Sequence, residues 1–259
     1  MIGTIKIIIH QGKQYISDVT KAEVPGIFRG RPEITNEVAD TNVLVELCPT
    51  GAIDTLPTGS GQSGNSISID IGKCTFCGEC AFTFPDKIKF TRDYKTATNH
   101  RDGLIIKQGE KNPVTLNPKF IRNEIADYFS GSLKLRQVSA AGDNSCESEL
   151  NACGNVNFDM GRFGIEFVAS PRHADGIVLT GPVSEHMAEP LQICFDAIPH
   201  PKIIILAGTD AISGGIFADS PAINRIFLSK YNIDLYVPGN PVHPLTFING
   251  VMELVKKRT

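Results

Sequence analysis

No part of this 259-residue sequence stays apolar for long. The longest fully aliphatic run is Ile203-Ile204-Ile205-Leu206, far short of the roughly 20 apolar residues a membrane-crossing helix needs. The chain is therefore not expected to span a bilayer by itself. Charge of one sign is also scarce. Twenty-five Lys and Arg against 28 Asp and Glu leave a net charge of −3. A free-standing nucleic-acid binder would be basic, so no nucleic-acid partner is expected. Met1 to Lys6 lack the charged, apolar and cleavable parts of a secretory signal. Tryptophan is missing, which decides nothing about function. Seven cysteines, an odd number in a chain long enough to build a core, argue against a disulfide scaffold. They point to a metal site in a reducing compartment. With 41% hydrophobic and 20% charged residues, the composition is that of an ordinary soluble globular protein.

The first third reads as short strands and turns. Alternation predicts strands over Thr4–Ile9 and Ser66–Ile71, and Gly59 to Ser66 reads as a flexible connector. Asn112–Pro118 reads as a boundary. Lys119–Phe129 then carries helical spacing through Phe120, Ile121, Ile125 and Phe129. Beyond it the pattern is α/β. Gly164–Ser170 is strand-like. Gly176–Thr180 and Lys202–Ala207 have the style of buried parallel strands. Val183–Ala197 reads as a helix, Asn232–Val237 as a strand and Pro244–Lys256 as a closing helix. This alternation predicts a mainly parallel sheet with helices on its faces. No glycine fingerprint of a dinucleotide fold follows a strand.

The chemistry concentrates in Cys74-Thr75-Phe76-Cys77-Gly78-Glu79-Cys80. Such a run places three thiolates on one tight loop. In two-cluster ferredoxins the run continues with a fourth Cys and a Pro, and that fourth Cys serves the other cluster. Here the fourth position is Phe84, followed by Pro85. Cys48-Pro49 is the tail of an earlier run whose other ligand positions fall at Val38, Thr41 and Leu44. Val38, Thr41, Leu44 and Phe84 are the four ligand positions of one cluster, and all are empty of sulfur. Cys48, Cys74, Cys77 and Cys80 are the four of the other, and all are kept. One complete [4Fe–4S] set survives. Four thiolates also suit a structural zinc ion, but CxxCxxC with a distant Cys-Pro favours the cubane. Lys73, Glu79 and Lys87 are expected to be solvated charges. Phe76 and Phe82 are expected to shield the site.

Phe28-Arg29-Gly30-Arg31-Pro32-Glu33 and the paired runs resemble the ferredoxin subunit of formate hydrogenlyase complexes, a relative of the ferredoxin subunit of complex I. From about Gly131 onward the chain resembles the small subunit of energy-converting [NiFe]-hydrogenases, the complex I 20 kDa subunit family. Gly161-Arg162-Phe163-Gly164-Ile165, Ser170-Pro171-Arg172-His173-Ala174-Asp175 and Thr180-Gly181-Pro182-Val183 carry that likeness. So do Ala197–Lys202, Ser213–Phe217 and Val237-Pro238-Gly239. The resemblance implies a ferredoxin-like α+β domain over 1–110, a linker with a helix over 111–135, and a flavodoxin-like α/β domain over 136–259.

The same resemblance implies an iron–sulfur electron-transfer subunit with one [4Fe–4S] cluster and no catalytic residue of its own. It would sit on the inner face of the cytoplasmic membrane. Its partners would be a large-subunit homologue, membrane subunits and an electron donor or acceptor. The family's proximal-cluster ligands correspond to Asp143, Cys146, Asp210 and Asn240. Three thiolates are thus replaced by oxygen-bearing side chains, poor ligands for a soft cluster. Two readings stay open for this site. The side chains fill the hole with hydrogen bonds, or Asp143, Cys146 and Asp210 hold one metal ion; the first is favoured because mixed sites obey no spacing rule. Glu147 either carries protons or pairs with a cation. Arg172 and His173 lie at an interface or stabilise the fold. Cys153 and Cys194 are small buried apolar residues, and His186, His200 and His243 have no metal spacing.

Overall fold

The computed structural model describes residues 2–56, 66–129 and 131–256. Most of the expected Gly59–Ser66 connector lies outside them.

The N-terminal part opens with α1 (Ile2–Gln11), then β1 (Pro32–Ile34), α2 (Thr41–Leu47), β2 (Ile53–Leu56), β3 (Ser66–Asp70), α3 (Glu79–Thr83), β4 (Ile88–Phe90) and β5 (Ile105–Lys107). The strands pair antiparallel, β1 with β4 in one sheet and β2-β3-β5 in another. The Asp40 carboxylate starts α2 by accepting from the N–H groups of Asn42 and Val43, which would otherwise be orphaned.

The expected strand over Thr4–Ile9 is instead the helix α1. A short β-branched run cannot be told from a helix by periodicity alone. A strand there would also need a neighbour to pair with, and α1 lies beside none.

The C-terminal part continues with α4 (Asn123–Tyr128), β6 (Leu133–Ser139), α5 (Ser145–Ala152), β7 (Ile165–Phe167), β8 (Gly176–Thr180), α6 (Glu185–Asp196), β9 (Ile203–Ala207), α7 (Thr209–Ser213), α8 (Ile226–Lys230), β10 (Leu235–Val237) and α9 (Pro244–Val255). Five strands form one parallel sheet in the order β10-β9-β8-β6-β7. The chain winds from β6 to β7 on one side, then crosses to β8 on the other. The switch point of this α/β sheet therefore lies between β6 and β8, where such sheets bind ligands beyond the strands' carboxyl ends. Strands β8 and β9 are buried throughout, as strands covered on both faces must be.

The single helix expected over Lys119–Phe129 is broken. A 3-10 turn at Pro118–Phe120 precedes α4, and Phe120 is exposed while Ile121, Ile125 and Phe129 are buried. Arg122 fixes this segment to the sheet. Its Nε and one terminal nitrogen hold the Asp234 carboxylate at 2.9 and 3.0 Å, and that carboxylate also accepts from the Ile204 N–H.

The two parts are welded through shared cores. Val19, Val24, Tyr94 and Ala97 are buried in one apolar cluster with residues of α4, β6, α5 and α9. Thr98 and Tyr236 exchange two backbone hydrogen bonds, joining the N-terminal part to the edge of the parallel sheet.

Candidate functional site: four thiols and a second, sulfur-poor pocket

Three local devices bring the four cysteines together. Cys48 caps the C-terminus of α2. Cys74 follows β3 after a turn in which the Asp70 carboxylate accepts from Gly72 N–H at 2.9 Å. Cys80 lies in α3. Cys77 lies on the loop between them, which winds through positive φ at Phe76 (54°) and Gly78 (83°). A side chain at Gly78 would also meet the Arg29 guanidinium at 2.8 Å. All four cysteines line one pocket with Pro49, Ala52 and Ile69.

Cys74 is buried, Cys48 and Cys80 are partly so, and Cys77 is exposed. Burial, reinforced by the neighbouring thiols, pushes Cys74 up to about 12 and Cys80 up to about 11. Such thiols give up their protons when a cation compensates the charge. Backbone N–H groups already aim at two of the sulfurs: Ala52 N at Cys48 Sγ, 3.2 Å, and Phe76 N at Cys74 Sγ, 3.3 Å. The donor set is the one a [4Fe–4S] cluster takes. Among the described residues no three His, Cys, Asp or Glu side chains are set to hold a single metal ion.

The surroundings differ in part from expectation. Phe82 is 85% exposed and shields nothing, because α3 turns it outward; Phe76 packs beside Phe90 instead. Lys87 is not a solvated charge. It is 4% exposed and donates to Glu37 O and Gln108 Oε1. Of the four sulfur-free positions, Leu44 is buried and Phe84 packs on the same apolar cluster, while Val38 is 96% exposed.

The second group of residues, the second pocket, lies at the carboxyl ends of the parallel strands. Asp143 precedes α5, Cys146 is in its first turn, Asp210 lies in α7 after β9, and Asn240 follows β10. Asp143, Cys146, Glu147 and Asp210 are close enough to perturb one another electrostatically. The Asn240 loop reaches the same place through the Val242 N–H, which points at the Cys146 thiol. Gly208 (φ 98°) is required there: a Cβ would stand 2.5 Å from Cys146 Sγ. Burial pushes the Cys146 thiol up to about 11.

The hydrogen bonds expected to fill this hole are not made by all three replacements. The Asp143 carboxylate accepts from Ser145 N–H and Oγ, at 2.9 and 2.6 Å, which holds its pKa below the usual carboxylate value. Among the described residues no hydrogen bond reaches the side chains of Asp210 or Asn240. Burial raises the Asp210 pKa, helped by Asp143 and Glu147 and opposed by Arg225. Glu147 pairs with no cation among the described residues. It accepts from Ser139 Oγ at 2.6 Å and Thr180 Oγ1 at 2.5 Å, bridging the last residues of the paired strands β6 and β8.

Two residues that the sequence does not single out brace these sites, and one of them joins the two. Thr209, fully buried, donates from Oγ1 to Cys74 O at 2.7 Å and contacts Gly239 O at 3.3 Å. Arg225 donates to the carbonyls of Pro182, Asp210, Ala211 and Ile212, capping α7. Neither belongs to a motif, so no local signal could have marked them. A cleft of about 560 Å³ is lined by Arg29, Phe76, Cys77, Asn240 and His243 among others, and so borders one residue of each set.

Comparison with known proteins gives the segment that carries Cys146, Asp210 and Asn240 a family. The family model for the NADH ubiquinone oxidoreductase, 20 Kd subunit, matches residues 144–254; the four-cysteine segment lies outside that match. The chain is 34% identical over 134 residues to a probable membrane-bound hydrogenase subunit of Pyrococcus furiosus, across 52% of this chain and 80% of that one. It is 38% identical over 113 residues to an NADH-quinone oxidoreductase subunit of Clostridium beijerinckii, covering 43% and 67%. The subunit of the same name in Heliobacterium modesticaldum is 41% identical over 113 residues, covering 43% and 65%. Among solved structures, a chain of an archaeal membrane-bound sulfane sulfur reductase is 29% identical, with a TM-score of 0.42, over 49% of this chain and 70% of that one. Through its C-terminal half, the chain belongs to the complex I 20 kDa subunit and [NiFe]-hydrogenase small-subunit family.

Proposed function

We propose that the protein is an iron–sulfur electron-transfer subunit of a membrane-associated complex related to energy-converting [NiFe]-hydrogenase and complex I. One [4Fe–4S] cluster is held by Cys48, Cys74, Cys77 and Cys80 in a ferredoxin-like domain over 1–110. A linker over 111–135 joins it to the family domain over 136–259, whose own cluster site is lost. The observation that carries this reading is the single pocket lined by all four thiols. A bound cubane would supply one-electron transfer at a potential set by burial and hydrogen bonding.

The chain's residues do the rest. Ala52 and Phe76 direct N–H dipoles at the sulfurs, which favours thiolate over thiol. Arg29 donates to Phe76 O at 2.7 Å and so fixes the loop that presents Cys77 to solvent, the edge open to a donor or acceptor protein. No residue makes or breaks a substrate bond. The name of one relative, a probable membrane-bound hydrogenase subunit, supports membrane association; the chain would sit against the inner face of the cytoplasmic membrane, beside a large-subunit homologue and membrane subunits.

The test is anaerobic iron and sulfide analysis with EPR of the reduced protein, alongside Cys77→Ser. About four irons per chain and one signal lost in the variant support the reading. Zinc without sulfide, or a signal that survives the substitution, overturns it. The sulfur-poor second pocket favours a second reading, in which the family domain is a non-catalytic scaffold docking a large-subunit homologue. A complex that keeps its redox activity when the four-cysteine site is destroyed would support that one instead.

A further inference from the structure

Helix α1 has no partner within the described chain. Every described side chain of 3–15 is exposed, and nothing stands within 4 Å of where a Cβ would be on Gly3 or Gly12. Ile5, Ile7, Ile8 and Ile9 are 53, 57, 62 and 74% exposed. A lone helix of ten residues is marginal in water, and a β-branched sequence makes it weaker. This element therefore needs an apolar phase to cover it.

At about 100° per residue, Ile5, Ile8 and Ile9 fall within an arc of about 100°. Lys6 and His10 flank that stripe, and Ile7 lies on the other side. Charge is segregated in the same place. Lys6 and Lys13 are the only formally charged side chains before Asp18, in a chain whose net charge is −3. The exit point is fixed: Ile16 N–H donates to Asn157 O at 2.8 Å, and Arg162 donates to Ile16 O and lies over the Tyr15 ring at 5.5 Å. The helix is thus held outside the core by a clamp that adds a third cation to its base. No helix among the described residues is long and apolar enough to cross a membrane. An apolar stripe beside basic side chains, on a short helix, is the pattern of a segment lying in the plane of an anionic lipid surface.

We infer that α1 is an interfacial membrane anchor, with Ile5, Ile8 and Ile9 among the acyl chains and Lys6, Lys13 and Arg162 facing anionic headgroups. This attaches the chain to lipid directly, without a membrane subunit, and it does not depend on the cluster. The test is co-sedimentation of the full chain with vesicles of phosphatidylcholine alone or with about one quarter phosphatidylglycerol. The expected result is binding to the anionic vesicles, about tenfold weaker for Ile5→Ser/Ile9→Ser. Binding also falls with added salt and with Lys6→Glu. The stripe touches no core residue, so visible absorbance and thermal unfolding of the variants stay unchanged, which separates this test from that of the cluster. Equal binding by the double variant, equal binding to uncharged vesicles, or no binding by the wild type overturns the inference. So does a lipid-free dimer that the double variant abolishes, which would assign the stripe to a second copy.

Discussion

Replacing Thr209 by Val removes one hydroxyl and keeps the shape of the side chain. That hydroxyl is fully buried and donates to Cys74 O at 2.7 Å, on the loop that carries a proposed cluster ligand. Gly239 O retains its bond from the Thr209 N–H, so the loss falls on Cys74 O. Leaving a buried acceptor without its donor costs about 1–3 kcal/mol. The added methyl contact recovers part of that, so the expected destabilisation is about 1–2 kcal/mol. For a chain of this size that is a fall in melting temperature of roughly 2–8 °C. Chemical denaturation followed by circular dichroism measures it, with Thr209→Ser as the control that keeps the hydroxyl. The same bond ties the thiol loop to α7, so the variant should also lose its visible chromophore faster to an iron chelator. A Val variant as stable as the wild type, or a Ser variant as damaged as Val, would refute the assigned hydrogen bond.

Three further outcomes follow from the second pocket. Asp210 has a folded-state pKa raised above its ordinary 3.8, so ionising it opposes folding once the pH rises above the unfolded-state value. Asp210→Asn should therefore stabilise the protein at neutral pH. That advantage should shrink as the pH falls toward the ordinary 3.8 and be gone well below it, where both states hold the proton; an advantage that grows on acidification would contradict the placement. Glu147→Leu should cost about 1–2 kcal/mol by taking the acceptor from the buried Thr180 hydroxyl, whereas Glu147→Gln, which keeps an acceptor oxygen, should cost less than half as much. Arg225→Ala should lower the denaturation midpoint by releasing four carbonyls, and Arg225→Lys should restore only part, since an ammonium lacks the planar fork.

How much was legible in the sequence follows from physical range. Strands β8 and β9 were visible because burial on both faces forces continuous apolar runs. The three cysteines of the CxxCxxC run stand out by their spacing, and Cys48 by the proline after it; the structure gathers all four on one pocket. Helix α5 was missed: Ser145–Ala152 is mostly polar, and its apolar stripe is only Cys146 and Leu150, with Cys153 at its end, too short to set a period. Central strand β6 alternates at Leu133 and Leu135 but carries Arg136 and Gln137 in its middle, which blunts the pattern. Thr209, Arg225 and the burial of Asp210 were not legible, because each depends on groups brought together from distant parts of the chain. Lys87 was misjudged for the same reason, its acceptors lying 50 and 21 residues away.

The central claim is one cluster site kept, at the four N-terminal cysteines, and two lost within a single chain. Native mass spectrometry of the anaerobically purified protein counts bound clusters by mass, and so measures that claim directly. The account predicts one [4Fe–4S] cluster per chain, absent from Cys77→Ser and retained in Cys146→Ser. Two clusters per chain, or one that Cys146→Ser removes and Cys77→Ser leaves in place, would contradict it.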